Sequence, residues 1–114
     1  MQHKKFLTAI PFLFICAVTF NSANAGEYGR GNVAAGKAKS VLCLGCHGVH
    51  GEGKMPADQQ PAYPRIAGQI SDYFIKSIYD YKKDIRNDPL MNALSKSLTD
   101  ADIANLAAFY ASLD

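Results

Sequence analysis

Two thiols and an imidazole sit together in "VLCLGCHG", where Cys43, Cys46 and His47 form a C-x-x-C-H run. Three chemistries use such a cysteine pair. Tetrahedral zinc takes four protein ligands, commonly from two separated pairs. Here Cys43, Cys46, His47 and His50 crowd into eight residues with no second half of a site. A thioredoxin-like dithiol needs a strand-to-helix setting within a βαβ pattern. A helical pattern precedes Cys43 instead, and no parallel strands follow. Covalent haem attachment uses every residue of the run. Cys43 and Cys46 would form thioethers with the two vinyl groups, and His47 is placed to bind iron on the proximal side.

The residue on the other side of the iron decides what such a haem can do. The candidates are His50, Met55 and Met91. His50 lies three residues past His47 in a glycine-rich turn, on the same side, so it reads as an exposed loop histidine. Met55 would need the chain to double back over the haem edge. Met91 follows a long helical stretch, which gives the chain room to wrap to the distal side. A His/Met pair leaves no open coordination position, and thioether sulfur favours ferrous iron. That combination carries single electrons and binds no small-molecule substrate.

Length and the N-terminus set the context. The chain has 114 residues, the size of one small domain. Lys4 and Lys5 precede an apolar run from Phe6 to Phe20, and Ala23-Asn24-Ala25 fits a small-residue cleavage signal. That layout predicts a secretory signal peptide over residues 1–25 and a functional domain over 26–114. The apolar run is short for a membrane span, which needs about 20 apolar residues. Export suits haem attachment, since that maturation occurs outside the cytoplasm. Cleavage would remove Cys16, Lys4 and Lys5, so Lys and Arg fall from 12 to 10 against 10 acids. With no basic excess, nothing points to nucleic acid.

Three helical stretches must position these residues. "NVAAGKAKSVLC" runs from Asn32, a good cap, into Cys43, with Val33, Lys37 and Val41 on one face and Ala34, Ala38 and Leu42 beside it. Gly36 inside it costs about 1 kcal/mol against alanine, which suggests a close backbone approach. "SDYFIKSIYDYKK" starts at Ser71 as N-cap and groups Ile70, Phe74 and Ile78, with Ile75 and Tyr79 alongside. Asn87-Asp88-Pro89 then breaks the pattern. "TDADIANLAAFYASLD" is capped by Thr99 with Asp102 at the third position, and carries an apolar stripe of Ile103, Leu106, Ala107, Tyr110 and Leu113, widened by Phe109. The glycines and prolines of "GVHGEGKMPADQQPAYPRIAGQ" make a long strand there improbable. The chain therefore reads as small and all-α. Its long loop needs support, and a buried porphyrin would supply part of the core that so short a chain lacks.

The segments "AAGKAKSVLCLGCHG", "YPRIAGQISDYFIKSIYDYK" and "NDPLMNALSKSLTDADIANLAAFYASL" resemble the class I c-type cytochromes. The similarity is strongest to single-haem bacterial relatives of the periplasmic dihaem cytochromes c. It covers the whole of residues 26–114. It implies a small cytochrome c fold in which the N- and C-terminal helices cross around one covalent haem c, a glycine of the first against an aromatic of the last. Here these are Gly36 and Phe109, with Tyr110 the near alternative. The resemblance also implies that the carbonyl of Pro64, in "YPRIAGQ", accepts a hydrogen bond from the proximal histidine. Ile66 stands where leucine is common. Met91 matches the family's N-P-x-M segment, which makes His47 and Met91 the expected metal ligands. Tyr63, Arg65 and Lys54 are candidates to meet the propionates. The expected role is a periplasmic electron carrier, not an enzyme, docking transiently with a redox donor and acceptor and meeting membranes only through membrane-bound partners. A haem subunit of a larger oxidoreductase, or a gas-binding haem protein, are the alternatives.

Overall fold

The computed structural model describes residues 30–54 and 63–114. The expected signal peptide and Met55 lie outside the described residues. Five helices follow in order: α1 (Val33–Lys39), α2 (Val41–His47), α3 (Ser71–Lys82), α4 (Pro89–Ser97) and α5 (Asp100–Ala111). Among the described residues there is no strand, only one isolated antiparallel bridge between Lys54 and Tyr63. The all-α expectation holds.

The first helical stretch is two helices. Asn32 caps α1 by accepting a hydrogen bond from the Ala35 amide at 2.8 Å. Ser40 then interrupts the run, its hydroxyl donating to the Lys37 carbonyl at 2.7 Å. A serine that bonds back to its own helix competes with the backbone ladder there.

The inner face of this pair is neither of the two faces that the apolar spacing marks. Val33, Val41 and Leu42 are exposed, and the buried positions are Gly36, Ser40, Cys43 and His47. The reason is what each helix packs against. A Cβ on Gly36 would stand 2.0 Å from the Asn105 carbonyl oxygen and 2.7 Å from the Phe109 Cβ. The backbones of α1 and α5 therefore meet at Gly36, which leaves no room for an apolar side chain. Around this crossing, Asn32 donates its backbone N–H to Asn105 Oδ1 at 2.7 Å, and Lys39 pairs with Asp102 at 3.0 Å.

α3 begins one residue earlier than its pattern implied. Ile70 is the capping position, Ser71 is already helical, and no side chain caps the end. Phe74, Ile75 and Ile78 are buried, whereas Ile70 is 72% exposed. α5 begins with a full capping box. Thr99 accepts from the Asp102 amide while Asp102 accepts from the Thr99 amide. Its Ile103, Leu106, Ala107, Phe109 and Tyr110 are buried with Phe74, Ile75, Ile78 and Leu98 as one core.

α4 is the element that the sequence reading missed. Asn87-Asp88-Pro89 does end the α3 pattern, but it also starts a helix. Asp88 accepts from the Met91 amide at 2.9 Å, and Pro89 fills the first turn, where its missing N–H costs nothing.

Candidate functional site

Cys43, Cys46 and His47 all lie on α2. Positions i, i+3 and i+4 of a helix share a face, so the two thiols and the imidazole point the same way from one short rod. Both cysteines are free thiols. Cys43 is buried in the core cluster beside α5. Burial pushes its thiol pKa up, a contact with the Tyr110 hydroxyl opposes that shift, and neighbouring Cys46 adds to it.

His47 is buried, and its Nδ1 lies 2.8 Å from the Pro64 carbonyl oxygen. A carbonyl only accepts, so Nδ1 donates, and in the neutral ring this leaves the lone pair on Nε2. Such a bond fixes both tautomer and ring orientation and raises the ligand's basicity. The backbone secures the same loop: Gly53 donates to the His47 carbonyl at 2.7 Å, and Ile66 and Ala67 donate to the Gly51 carbonyl at 2.8 and 2.9 Å. Gly51 has φ +72°, and a Cβ there would stand 2.7 Å from the Tyr110 ring. Only glycine allows the loop to settle so closely on α5.

Beyond Pro64 a cleft opens between this loop and the α3–α4 pair. Pro64, Ile66, Phe74, Ile78, Tyr81 and Met91 line it. Met91 sits in the first turn of α4, partly buried against the core. The Asp88 cap and the Pro89 start therefore determine where its thioether stands.

Other candidates fall elsewhere. His50 is exposed, and its backbone N–H donates to Glu52 Oε2 at 2.8 Å. Glu52's own backbone N–H first, and then that contact, hold the Glu52 carboxyl below its usual range. Lys54 Nζ donates to the Gly45 carbonyl at 3.1 Å, and Arg65 to the Asp114 carbonyl. Tyr63 meets the His47 ring edge-on, with centroids 6.5 Å apart. All three border the site, but the contacts of Lys54 and Arg65 are to backbone.

Tyr110 was read from the sequence as one more stripe residue and as an alternative partner for Gly36. It is 1% exposed, and its ring lies 5.6 Å from Phe74 and 5.0 Å from Phe109, centroid to centroid. Its hydroxyl contacts Cys43 and Ser40, and burial first, then Cys43, pushes its pKa far above the usual range. Nothing in a helical stripe signals which tyrosine will face a cysteine sixty-seven residues away.

Among the described residues no three His, Cys, Asp or Glu side chains converge as a closed metal site. Two unpaired thiols and a tautomer-fixed imidazole on one helical face, beside an apolar cleft with a thioether in its wall, are a donor set that fits haem c. The cytochrome c family matches residues 33–114. The chain belongs to that family. One covalent haem c is its cofactor, matched by its single C-x-x-C-H run, and electron transfer is its class of function. Cytochrome c4 of Pseudomonas aeruginosa is 39% identical over 85 residues, which are 75% of this chain and 40% of the relative. Cytochrome c-554(548) of Halomonas halodenitrificans is 39% identical over 85 residues, covering 72% of this chain and 96% of that one. A solved cytochrome c4 of Acidithiobacillus ferrooxidans superposes with a TM-score of 0.59 at 29% identity, over 75% of this chain and 53% of that one. The chain thus spans about 40% of the length of the cytochrome c4 relatives it matches and nearly all of the cytochrome c-554(548).

Proposed function

We propose that this cytochrome is a single-electron carrier, exported to the periplasm by residues 1–25, that shuttles between redox proteins of a respiratory chain. Cys43 and Cys46 anchor the haem as thioethers, His47 Nε2 is the proximal ligand, and Met91 is the distal one. The observation that carries this reading is the juxtaposition of His47, fixed by Pro64, with a cleft that has Met91 in its wall.

When bound, the haem supplies an iron that alternates between ferric and ferrous. The chain does the rest. Pro64 holds the Nδ1 proton, so that His47 presents only its basic nitrogen. Met91 fills the remaining position with a ligand that favours the ferrous state. Ile66, Phe74 and Ile78 make much of the cleft wall apolar, and an apolar surrounding favours the less charged centre. With both positions held by protein, no site remains for a substrate.

The test is the distal ligand. Ferric holoprotein should show the weak near-infrared charge-transfer band of methionine sulfur on haem iron. Met91→Ala should abolish that band, admit carbon monoxide to the reduced protein and lower the potential. Met55→Ala should leave all three unchanged. The reverse pattern would contradict the assignment, and a spectrum indifferent to both variants would favour a gas-binding protein.

A further inference from the structure

The residue after the proposed distal ligand has its side-chain amide engaged through both its oxygen and its nitrogen. Asn92 is buried on α4. Its Oδ1 accepts from the Asp88 backbone N–H at 2.7 Å. Its Nδ2 donates to the Tyr81 carbonyl at 2.7 Å and to the Arg86 carbonyl at 2.8 Å. One amide thus reaches the last turn of α3, the 83–88 connection and the cap of α4. Asp88, gripped through its backbone, in turn accepts from the Met91 N–H at 2.9 Å through its carboxylate. A continuous chain of bonds runs from α3 through Asn92 and Asp88 to the backbone of Met91.

The backbone ties the first part of this connection to α3: Ile85 and Arg86 donate to the Asp80 carbonyl at 2.8 and 3.1 Å, and Lys83 and Asp84 donate to the Tyr79 and Tyr81 carbonyls at 2.9 and 3.1 Å. Side chains other than Asn92 add less. Ile85 and Leu90 are exposed, so apolar burial does not fasten it. The ion pair between Lys96 and Asp84 at 2.8 Å lies on the surface, with its partners 52% and 61% exposed, where such pairs contribute little. Arg86 rests on the Tyr81 ring with its guanidinium carbon 4.6 Å from the centroid, at the mouth of the same cleft. A buried amide that satisfies its acceptor and both its donors is the stronger fastening, because loosening it strands polar groups away from water.

We propose that Asn92 is a positioning residue for the distal ligand: its amide fastens the 83–88 connection to α3 and α4 and thereby holds Met91 in place against exchange for an external ligand. The inference rests on the reading of Met91 as that ligand. Its consequence is kinetic. A ligand lost through local opening is replaced at a rate set by how often the segment opens, and each buried bond removed makes opening more frequent.

The test uses ferric holoprotein with cyanide as the external ligand and the near-infrared band as the report on methionine. Asn92→Leu keeps much of the volume and removes all three bonds. Asn92→Asp keeps the acceptor and removes both donors. Both variants should retain the band at neutral pH and low temperature, yet bind cyanide about tenfold faster or more than the parent, as expected for local opening freed of buried hydrogen bonds. Asp102→Asn is the control, since it loosens the α1–α5 crossing and touches nothing near Met91. Parental cyanide rates in both Asn92 variants would overturn the proposal, as would equal acceleration in Asp102→Asn. If neither Asn92 variant folds, amide exchange in the parent decides: the Asp88 and Met91 N–H groups should exchange as slowly as those inside α3, and exchange at the rate of an open loop would overturn it. Met91→Ala separates the two readings. If it keeps the band, the ligand assignment fails and this inference with it. If it loses the band while the Asn92 variants behave as the parent, the positioning role alone fails.

Discussion

At the scale of single residues, the site is a matter of which atom each side chain leaves free. Cys43 and Cys46 are unpaired thiols three positions apart on α2, one buried and one half-buried. Each offers one sulfur for one thioether. Cys43→Ala or Cys46→Ala should leave a single link and lower the yield of holoprotein, read by haem staining of denatured protein. Full staining in both variants would contradict anchoring through this pair. His47 was legible by its place after Cys46, and its bond to Pro64 followed from the family resemblance, not from spacing. Tyr110 and Asn92 were not legible. Their importance lies in what their polar tips touch across the fold, at Cys43 and Ser40 in one case and at Tyr81, Arg86 and Asp88 in the other. A pattern of apolar positions carries no record of such contacts.

At the scale of elements, α1 and α5 meet through backbone. Gly36→Ala would gain about 1 kcal/mol of helix propensity. It would also push a methyl group onto the Asn105 carbonyl, and overpacking of this kind costs about 1–3 kcal/mol. The variant should therefore be less stable than the parent in a urea titration, and a gain in stability would show that the crossing is looser than the structure has it. The same crossing carries a pH dependence. The Thr99 backbone N–H foremost, and then Lys39, hold the Asp102 carboxyl below its usual range. A depressed carboxylate contributes stability above its unfolded pKa and loses it as pH falls through the lower folded value. Stability should therefore decline on acidification below about pH 4. Asp102→Asn should flatten that decline, and an unchanged acid profile would contradict the linkage. Elements with strong local signals were readable: Thr99 to Asp102 announced α5, and its stripe named the core. α4 was hidden because its buried positions, Asn92 and Ser95, are polar, and because Asp88-Pro89 terminates one helix while starting the next. The buried face of α1 and α2 was not legible from apolar spacing because Gly36 meets the backbone of α5, and Ser40 and Cys43 meet the Tyr110 hydroxyl, contacts that do not call for large apolar side chains.

At the scale of the whole molecule, the arrangement is a small scaffold for a haem redox centre beside a mostly apolar cleft. α1 and α5 cross at Gly36, α2 presents the attachment residues, and α3 with α4 forms one wall of the cleft. If residues 1–25 are removed, as we propose, Lys and Arg number 10 and the acids 10, so long-range steering of partners should be modest. The rate of reduction by a partner protein should change little with salt, and a fall of about a hundredfold between low and physiological ionic strength would contradict that. The central claim, a closed single-electron centre, is tested most directly by a potentiometric titration of purified holoprotein followed in the visible spectrum, repeated under carbon monoxide. A single one-electron transition that carbon monoxide leaves unmoved is the predicted result. A transition of more than one step, or a reduced spectrum shifted by carbon monoxide at neutral pH, would show that the iron keeps an open position and that the protein is not a simple carrier.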